Sequence, residues 1–175
     1  MAKTTFSGPV QSLNGFIGAG IGATKDFTSG TLTVADYAGR VIKVNDADGK
    51  ITLPTINASA DSAVAGPNDV NNPNNLGATF TFFIETAATD LDIKTDGTDK
   101  FYGAITVAST NATTAANNVF VPAATNDVIT LNGTTKGGAV GSVIKVTAID
   151  TAKYLVEGLT LQNTSGANVT PFADA

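Results

Sequence analysis

From Val143 to Ile149 the chain alternates apolar and polar residues, setting Ile144, Val146 and Ala148 on one side and Lys145 and Thr147 on the other. A period of two belongs to an extended strand that buries one face and wets the other. Similar signals surround it: Val128–Leu131 before an Asn132-Gly133 turn, a strand from Gly141 to Ile149, a turn through Asp150–Lys153, then Tyr154–Gly158, and last Thr170-Pro171-Phe172. No stretch carries the 3.6-residue apolar period of an amphipathic helix. The chain is thereby confined to sheet, with at most a helical turn at Asp36–Ala38 or inside a long loop.

The first half repeats the theme. Leu32–Asp36 leads to Gly39, and Val41–Val44 and Ile51–Pro54 flank Asn45–Lys50, which contains an Asp-Gly pair. Two short β-rich runs around such a pair predict a hairpin, and Pro54, with no amide proton for a ladder, ends its second strand. Thr79–Glu85 sets Phe80, Phe82 and Ile84 on one face and is followed by Leu91–Thr95, an Asp96-Gly97 turn and Phe101–Val107. Each of those three side chains contributes about 1.5–3 kcal/mol if buried, which marks this strand as a centre of the core. The expected fold is all-β: a single antiparallel β-sandwich or barrel, with a core of Val41, Leu53, Phe80, Phe82, Ile84, Ile93, Ile105, Ile129, Ile144, Val146 and Val156. Two stretches, 57–76 and 108–126, read as long loops of Ala, Asn, Asp, Thr, Ser, Gly and Pro, a length that usually signals function or disorder.

Residues 1–30 read differently from residues 31–175, which form the β domain. Phe6, Val10, Leu13, Phe16 and Ile17 are spread among glycines and Pro9 with no regular period. Such a segment suits an extended N-terminal arm whose anchors Phe6, Leu13, Phe16 and Ile17 contact a partner; an irregular edge strand packed on its own domain suits it equally.

Composition removes whole classes of chemistry. The 175 residues hold no His, Cys or Trp and a single Arg, so a histidine base, a disulfide and the usual zinc ligand sets are all missing. No enzymatic activity, cofactor or metal is expected. Only 14% of residues are charged, against about 25% in a typical soluble domain, which leaves Thr, Asn, Ser and Gly to form the surface. A net charge of −5 and a pI near 4.4 argue against nucleic acid, whose phosphates call for clustered Lys and Arg. The apolar run Phe16–Ala23 is too short to span a bilayer and lacks a basic start, so neither a membrane nor the usual secretion route is expected. Asn-x-Ser/Thr triplets at Asn57, Asn111, Asn132, Asn163 and Asn168 follow from so Asn- and Thr-rich a chain.

Three motifs resemble chemistry on paper. Gly18–Ala23 matches the dinucleotide-binding fingerprint, but a weak strand precedes it and no helix follows to receive a pyrophosphate. Asp46-Ala47-Asp48-Gly49 has calcium-loop composition, yet that register would place Val44 and Thr55 where carboxylates belong, so it reads as a hairpin turn. Asp90, Asp92, Asp96 and Asp99 form the densest acidic run, and with Lys94 and Lys100 interleaved they read as a solvated hairpin.

The segment Lys3–Ile17 (KTTFSGPVQSLNGFI) resembles the N-terminal signature of small virion proteins of marine tailed bacteriophages. Leu32-Thr33-Val34-Ala35-Asp36 with Gly39, Ile51-Thr52-Leu53-Pro54 and Gly77–Phe82 (GATFTF) are similar to short patterns of phage head-decoration proteins. Tyr154–Gly158 before Thr170-Pro171-Phe172 fits as well, with Tyr154 where such proteins often carry Trp. The resemblance covers most of the chain apart from the two long loops. It implies a jelly-roll-like capsid decoration, or cement, protein on the outer surface of the virion, commonly a homotrimer, with the major capsid protein as partner. A head-fibre or tail-associated receptor-binding β domain is the first alternative, though no fibrous repeat or coiled-coil stem is visible. A bacterial surface or carbohydrate-binding module is the second; it should carry a secretion signal and exposed aromatics.

Overall fold

A computed structural model describes residues 22–58, 74–109, 117–163 and 166–175. The described chain is nearly all β. Its first half runs β1 (Thr24–Phe27), β2 (Gly30–Thr31), the single helical turn α1 (Val34–Tyr37), β3 (Val41–Val44), β4 (Lys50–Thr52), β5 (Thr79–Ile84) and β6 (Leu91–Lys94). The second half runs β7 (Lys100–Ser109), β8 (Asn117–Phe120), β9 (Val128–Leu131), β10 (Val143–Asp150), β11 (Lys153–Gln162) and β12 (Phe172–Ala173).

These strands form two sheets, one of seven strands in the order β1-β3-β5-β10-β11-β7-β8 and one of five in the order β12-β9-β6-β4-β2. Both are mixed, which corrects the all-antiparallel expectation. β1, β3 and β5 run parallel to one another, and so do β2, β4 and β6. From β1 to β6 the chain therefore winds like a coil, laying one strand in each sheet per turn. Antiparallel pairing begins where β10 covers β5 and β9 covers β6. Neither sheet closes on itself among the described residues, so a barrel is not formed.

The winding also overturns the expected hairpin around Asp48-Gly49. β3 lies in the seven-stranded sheet and β4 in the five-stranded one, so the turn carries the chain across the core instead of folding it back. Gly49 is needed for this crossing, because a Cβ there would collide with the Thr28 carbonyl. The acidic run is likewise no hairpin, since β6 and β7 belong to different sheets. The helical turn allowed at Asp36–Ala38 forms slightly earlier, as α1, whose start Thr33 caps by accepting the Asp36 N–H. β8 falls inside the expected loop 108–126.

Of the predicted core, ten side chains from Leu53 to Val156 are buried to 1% exposure or less, whereas Val41 is 38% exposed. Ile42 and Val44 point inward in its place, so the strand's phase is one residue off the expected one. Rows of buried side chains cross the seven-stranded sheet, one running from Ile42 through Phe82 to Ile144. A single cluster contains residues of both sheets, with Ile51, Leu53, Leu91, Ile93, Ile129, Leu131 and Phe172 supplied from the five-stranded side. The Tyr154 hydroxyl, on β11, donates to the Pro54 carbonyl beyond β4, which pins the two sheets at the edge of this core. Burial holds that phenol well above its ordinary pKa.

Thr24–Phe27 and Gly30 of the expected arm belong to the sheets. β1 pairs with β3, and the boundary expected after residue 30 falls inside β2, where Gly30 and Thr31 pair with Ile51 and Thr52. Phe27 packs edge-on against Tyr37 with ring centres 5.1 Å apart. The anchors Phe6, Leu13, Phe16 and Ile17 lie outside the described residues, as does the glycine-rich motif up to residue 21.

Candidate interaction surface

The four acidic residues that draw attention in the sequence do not converge. Lys50, on the outer face of the five-stranded sheet, takes both Asp90 and Asp92, each carboxylate 2.9 Å from its ammonium. Burial pulls the ammonium pKa down, but the two carboxylates outweigh it and hold the group above its usual value. Asp96 folds onto its own turn: it accepts the Thr55 hydroxyl at 2.8 Å and the N–H groups of Thr98 and Asp99. Burial opposes its charge, and these donors more than offset that, so its pKa lies low.

Asp99 is different. It is 2% exposed and receives one backbone donor, the Ile56 N–H at 2.8 Å, so burial leaves its carboxyl above the usual aspartate range. Each carboxylate is thus engaged in fastening a local turn or strand. Among the described residues no three acidic side chains gather where they could hold a cation. Asp46 and Asp48 do not converge either, since Asp46 accepts the Asp48 N–H and so closes a turn on itself.

A second fastening was not legible in the spacing. Asp127 precedes β9 and is nearly buried; its carboxylate takes the Lys100 ammonium at 2.6 Å and the Ala175 N–H at 2.8 Å. Lys100 also donates to the Gly97 carbonyl. Burial pushes the Asp127 carboxyl up, but the Lys100 hydrogen bond and the Ala175 amide outweigh it, and its pKa lies below the ordinary aspartate value. This cluster ties the start of β7 to the start of β9 and to the segment after β12.

The outer faces of the two sheets differ in chemistry. The five-stranded sheet shows Lys50, Asp92, Lys94 and Thr130, which border a shallow hollow of about 400 Å³ beside the terminal residues Ala173–Ala175. Lys50 there is paired with Asp90 and Asp92.

The seven-stranded sheet shows Thr and aliphatic side chains together with the Lys43–Asp26 and Lys145–Glu157 pairs. Strand register sets Phe83, Val143, Leu159, Thr106 and Val119 side by side on five adjacent strands, and Val143, Leu159 and Val119 are 40%, 51% and 66% exposed. The neighbouring row reads Val41, Thr81, Lys145, Glu157 and Ala104, with Lys145 and Glu157 paired at 3.1 Å. Beyond it lie Thr79, Thr147, Leu155 and Tyr102. The result is a broad face on which exposed aliphatic and Thr side chains surround the Lys145–Glu157 pair.

A strand face of this kind offers complementarity over area. No protein-family model, no curated protein and no solved structure matches the chain.

Proposed function

We propose that the protein is a structural component of a virus particle, a capsid decoration protein that docks on the shell formed by the major capsid protein. The observation that carries the reading is the outer face of the seven-stranded sheet, which among the described residues lies open and carries Phe83, Val143, Leu159, Thr106 and Val119 side by side. A broad strand face rich in Thr and aliphatic side chains is suited to lie flat on a larger surface. Repetition then multiplies weak contacts, because on a shell of identical subunits a second contact is made at high effective concentration. The resemblance of the LTVAD, ITLP and GATFTF segments to phage head proteins supports the same reading. Those segments supply α1, β4 and β5, the coil on which the core is built.

In this reading the two mixed sheets form a sandwich, supported by the single buried cluster to which both contribute. Their parallel pairs set the path apart from the antiparallel course of a jelly roll. The arm anchors Phe6, Leu13, Phe16 and Ile17 add a second attachment element.

A head-fibre or tail-associated receptor-binding domain is the second reading. The three stacked turns of parallel coil between β1 and β6 favour it, since stacked coils are a natural unit of elongated assemblies.

Copy number separates the two. Quantifying the protein in purified particles and locating it in a map of the intact particle should give hundreds of copies over the shell, whereas a handful at one vertex or tail would support the second reading and refute the first. A truncation lacking residues 1–21 tests the arm: it should fold but bind particles with reduced occupancy.

A further inference from the structure

The chain enters the seven-stranded sheet at one corner of its outer face. The Ala23 carbonyl accepts the Val41 N–H, and the Arg40 guanidinium donates to the Gly22 carbonyl. Residues 1–21 are therefore joined to the described structure beside the start of β3, where β1 forms the edge of the sheet. From β1 to β8 the sheet is six strand gaps wide, about 29 Å at the usual spacing. Residues 1–21, if extended, span up to about 70 Å, so the segment is long enough to cross the whole face.

The reach of its anchors matches the exposed apolar side chains. Ile17 and Phe16 stand five and six residues before Gly22, a reach of about 17–20 Å. That distance ends over β10 and β11, three and four gaps in from β1, where Val143 and Leu159 lie side by side. Leu13, at about 30 Å, arrives at β8 and Val119. Charge does not oppose the contact: Lys3 is the only charged side chain of the segment, and all fifteen Asp and Glu residues lie beyond it.

We propose that in the free chain residues 1–21 fold back over the outer face of their own seven-stranded sheet, with Phe16 and Ile17 on Val143 and Leu159 and with Leu13 on Val119. The tether selects the occupant. A segment joined to the face meets it at an effective concentration of about millimolar, whereas the arm of a second copy must be brought there against the repulsion of two acidic chains. Burial of these side chains against one another offsets the entropy of ordering the segment. Its glycines let it follow the twist of the strands beneath. Phe6, sixteen residues before Gly22, reaches past β8 and stays available for a second contact. Any partner that docks on the face must first displace the arm, so the arm screens what can bind there. The inference concerns the free chain and does not rest on the virion reading.

The chain contains no cysteine, so Ser12→Cys in the full chain carries a nitroxide at one defined place. In methyl NMR spectra Val119, Val143 and Leu159 should lose most of their intensity relative to the reduced label, while Thr52 and Thr130 on the outer face of the five-stranded sheet keep most of theirs. An isotope-enriched chain without nitroxide, mixed with a nitroxide-bearing one, should be unaffected. Leu159→Lys, and separately Phe16→Asp combined with Ile17→Asp, should each restore the Val119 and Val143 signals, with an unshifted Ile144 methyl showing that the core is intact. The absence of any loss, or an equal loss on both outer faces, would overturn the proposal. So would a loss that survives both variants, or one seen in the mixed chain, which would assign the face to the arm of a second copy.

Discussion

The Asp127–Lys100 cluster offers the sharpest test of the energetics, because its two partners are unequally buried. Asp127 keeps 7% of its side chain exposed and Lys100 keeps 27%. Removing one member of a buried pair costs about 3–5 kcal/mol when the other is stranded without water. Lys100→Met strands the carboxylate, which has only the Ala175 amide left, so the cost should lie near the lower end, about 3 kcal/mol. Asp127→Asn strands the ammonium, but that group reaches water and keeps the Gly97 carbonyl, so about 1–2 kcal/mol is expected.

For a domain of this size each kcal/mol shifts the melting temperature by about 2–4 °C, so the two variants should separate by several degrees in thermal melts at neutral pH. The pH dependence follows from the lowered Asp127 pKa. Its stabilisation is fully present above the unfolded value, near 3.9, and is lost as pH falls through the still lower folded value. Wild type should therefore lose melting temperature more steeply than Asp127→Asn below about pH 4. An Asp127→Asn protein less stable than Lys100→Met, with an acid limb parallel to wild type, would refute the reasoning.

Asp99 should behave with the opposite sign. Its carboxyl is raised by burial, so ionisation at neutral pH costs stability that returns as pH falls through the folded value; Asp99→Asn, which can still accept the Ile56 N–H, should melt at or above the wild-type temperature at pH 7, and a clear loss there would contradict it. Gly103 has φ +109° in the middle of β7, and a Cβ would meet the Val156 carbonyl on the paired strand β11, so Gly103→Ala should cost about 3 kcal/mol or more; an unchanged melt would mean the two strands can separate freely.

The strands themselves were legible wherever burial alternates. Phe80, Phe82 and Ile84 on β5 and Ile144, Val146 and Ala148 on β10 have the period of a sheet with one wet face, and all six are fully buried. Pairing was not legible. An Asp-Gly turn is equally compatible with reversing within one sheet and with crossing to another, since the local backbone does not know where its next hydrogen-bond partner lies. That is why the segment between β3 and β4 reads as a hairpin. The run Val41, Ile42, Val44 leaves the strand's phase ambiguous, and the Asn-rich start of β8 looks like loop.

Of the surface, the alternation that buries Ile144 and Val146 necessarily turns Val143 and Lys145 outward. The row from Phe83 to Val119 nevertheless needed the register of five strands, which no local pattern contains. The Asp127 cluster joins residues from three distant segments and leaves no trace in spacing. Of the acidic run, Asp90 and Asp92 share Lys50, Asp96 is committed to the turn at Thr55 and Asp99 to the Ile56 amide.

The coil from β1 to β6 has a consequence for how the chain reaches its native state. Because successive strands alternate between sheets, Val41 must find Thr24 behind it and Thr81 ahead of it, and Ile51 must find Gly30 and Ile93. No early strand can gain stability from its immediate neighbour in sequence, so loop closure must be met before contacts form. Such a topology folds in milliseconds to seconds, slower than a meander of hairpins of the same size. The one long local hairpin, β10 with β11, lies near the far end of the chain, and β10 is also the strand that covers β5. During synthesis the first three turns of coil would thus wait, with Phe80, Phe82 and Ile84 lacking one flanking strand, until residues beyond 143 emerge. The N-terminal half of this protein is stabilised by strands made later, and a chain stalled before β10 should be a substrate for chaperones rather than a partly folded domain.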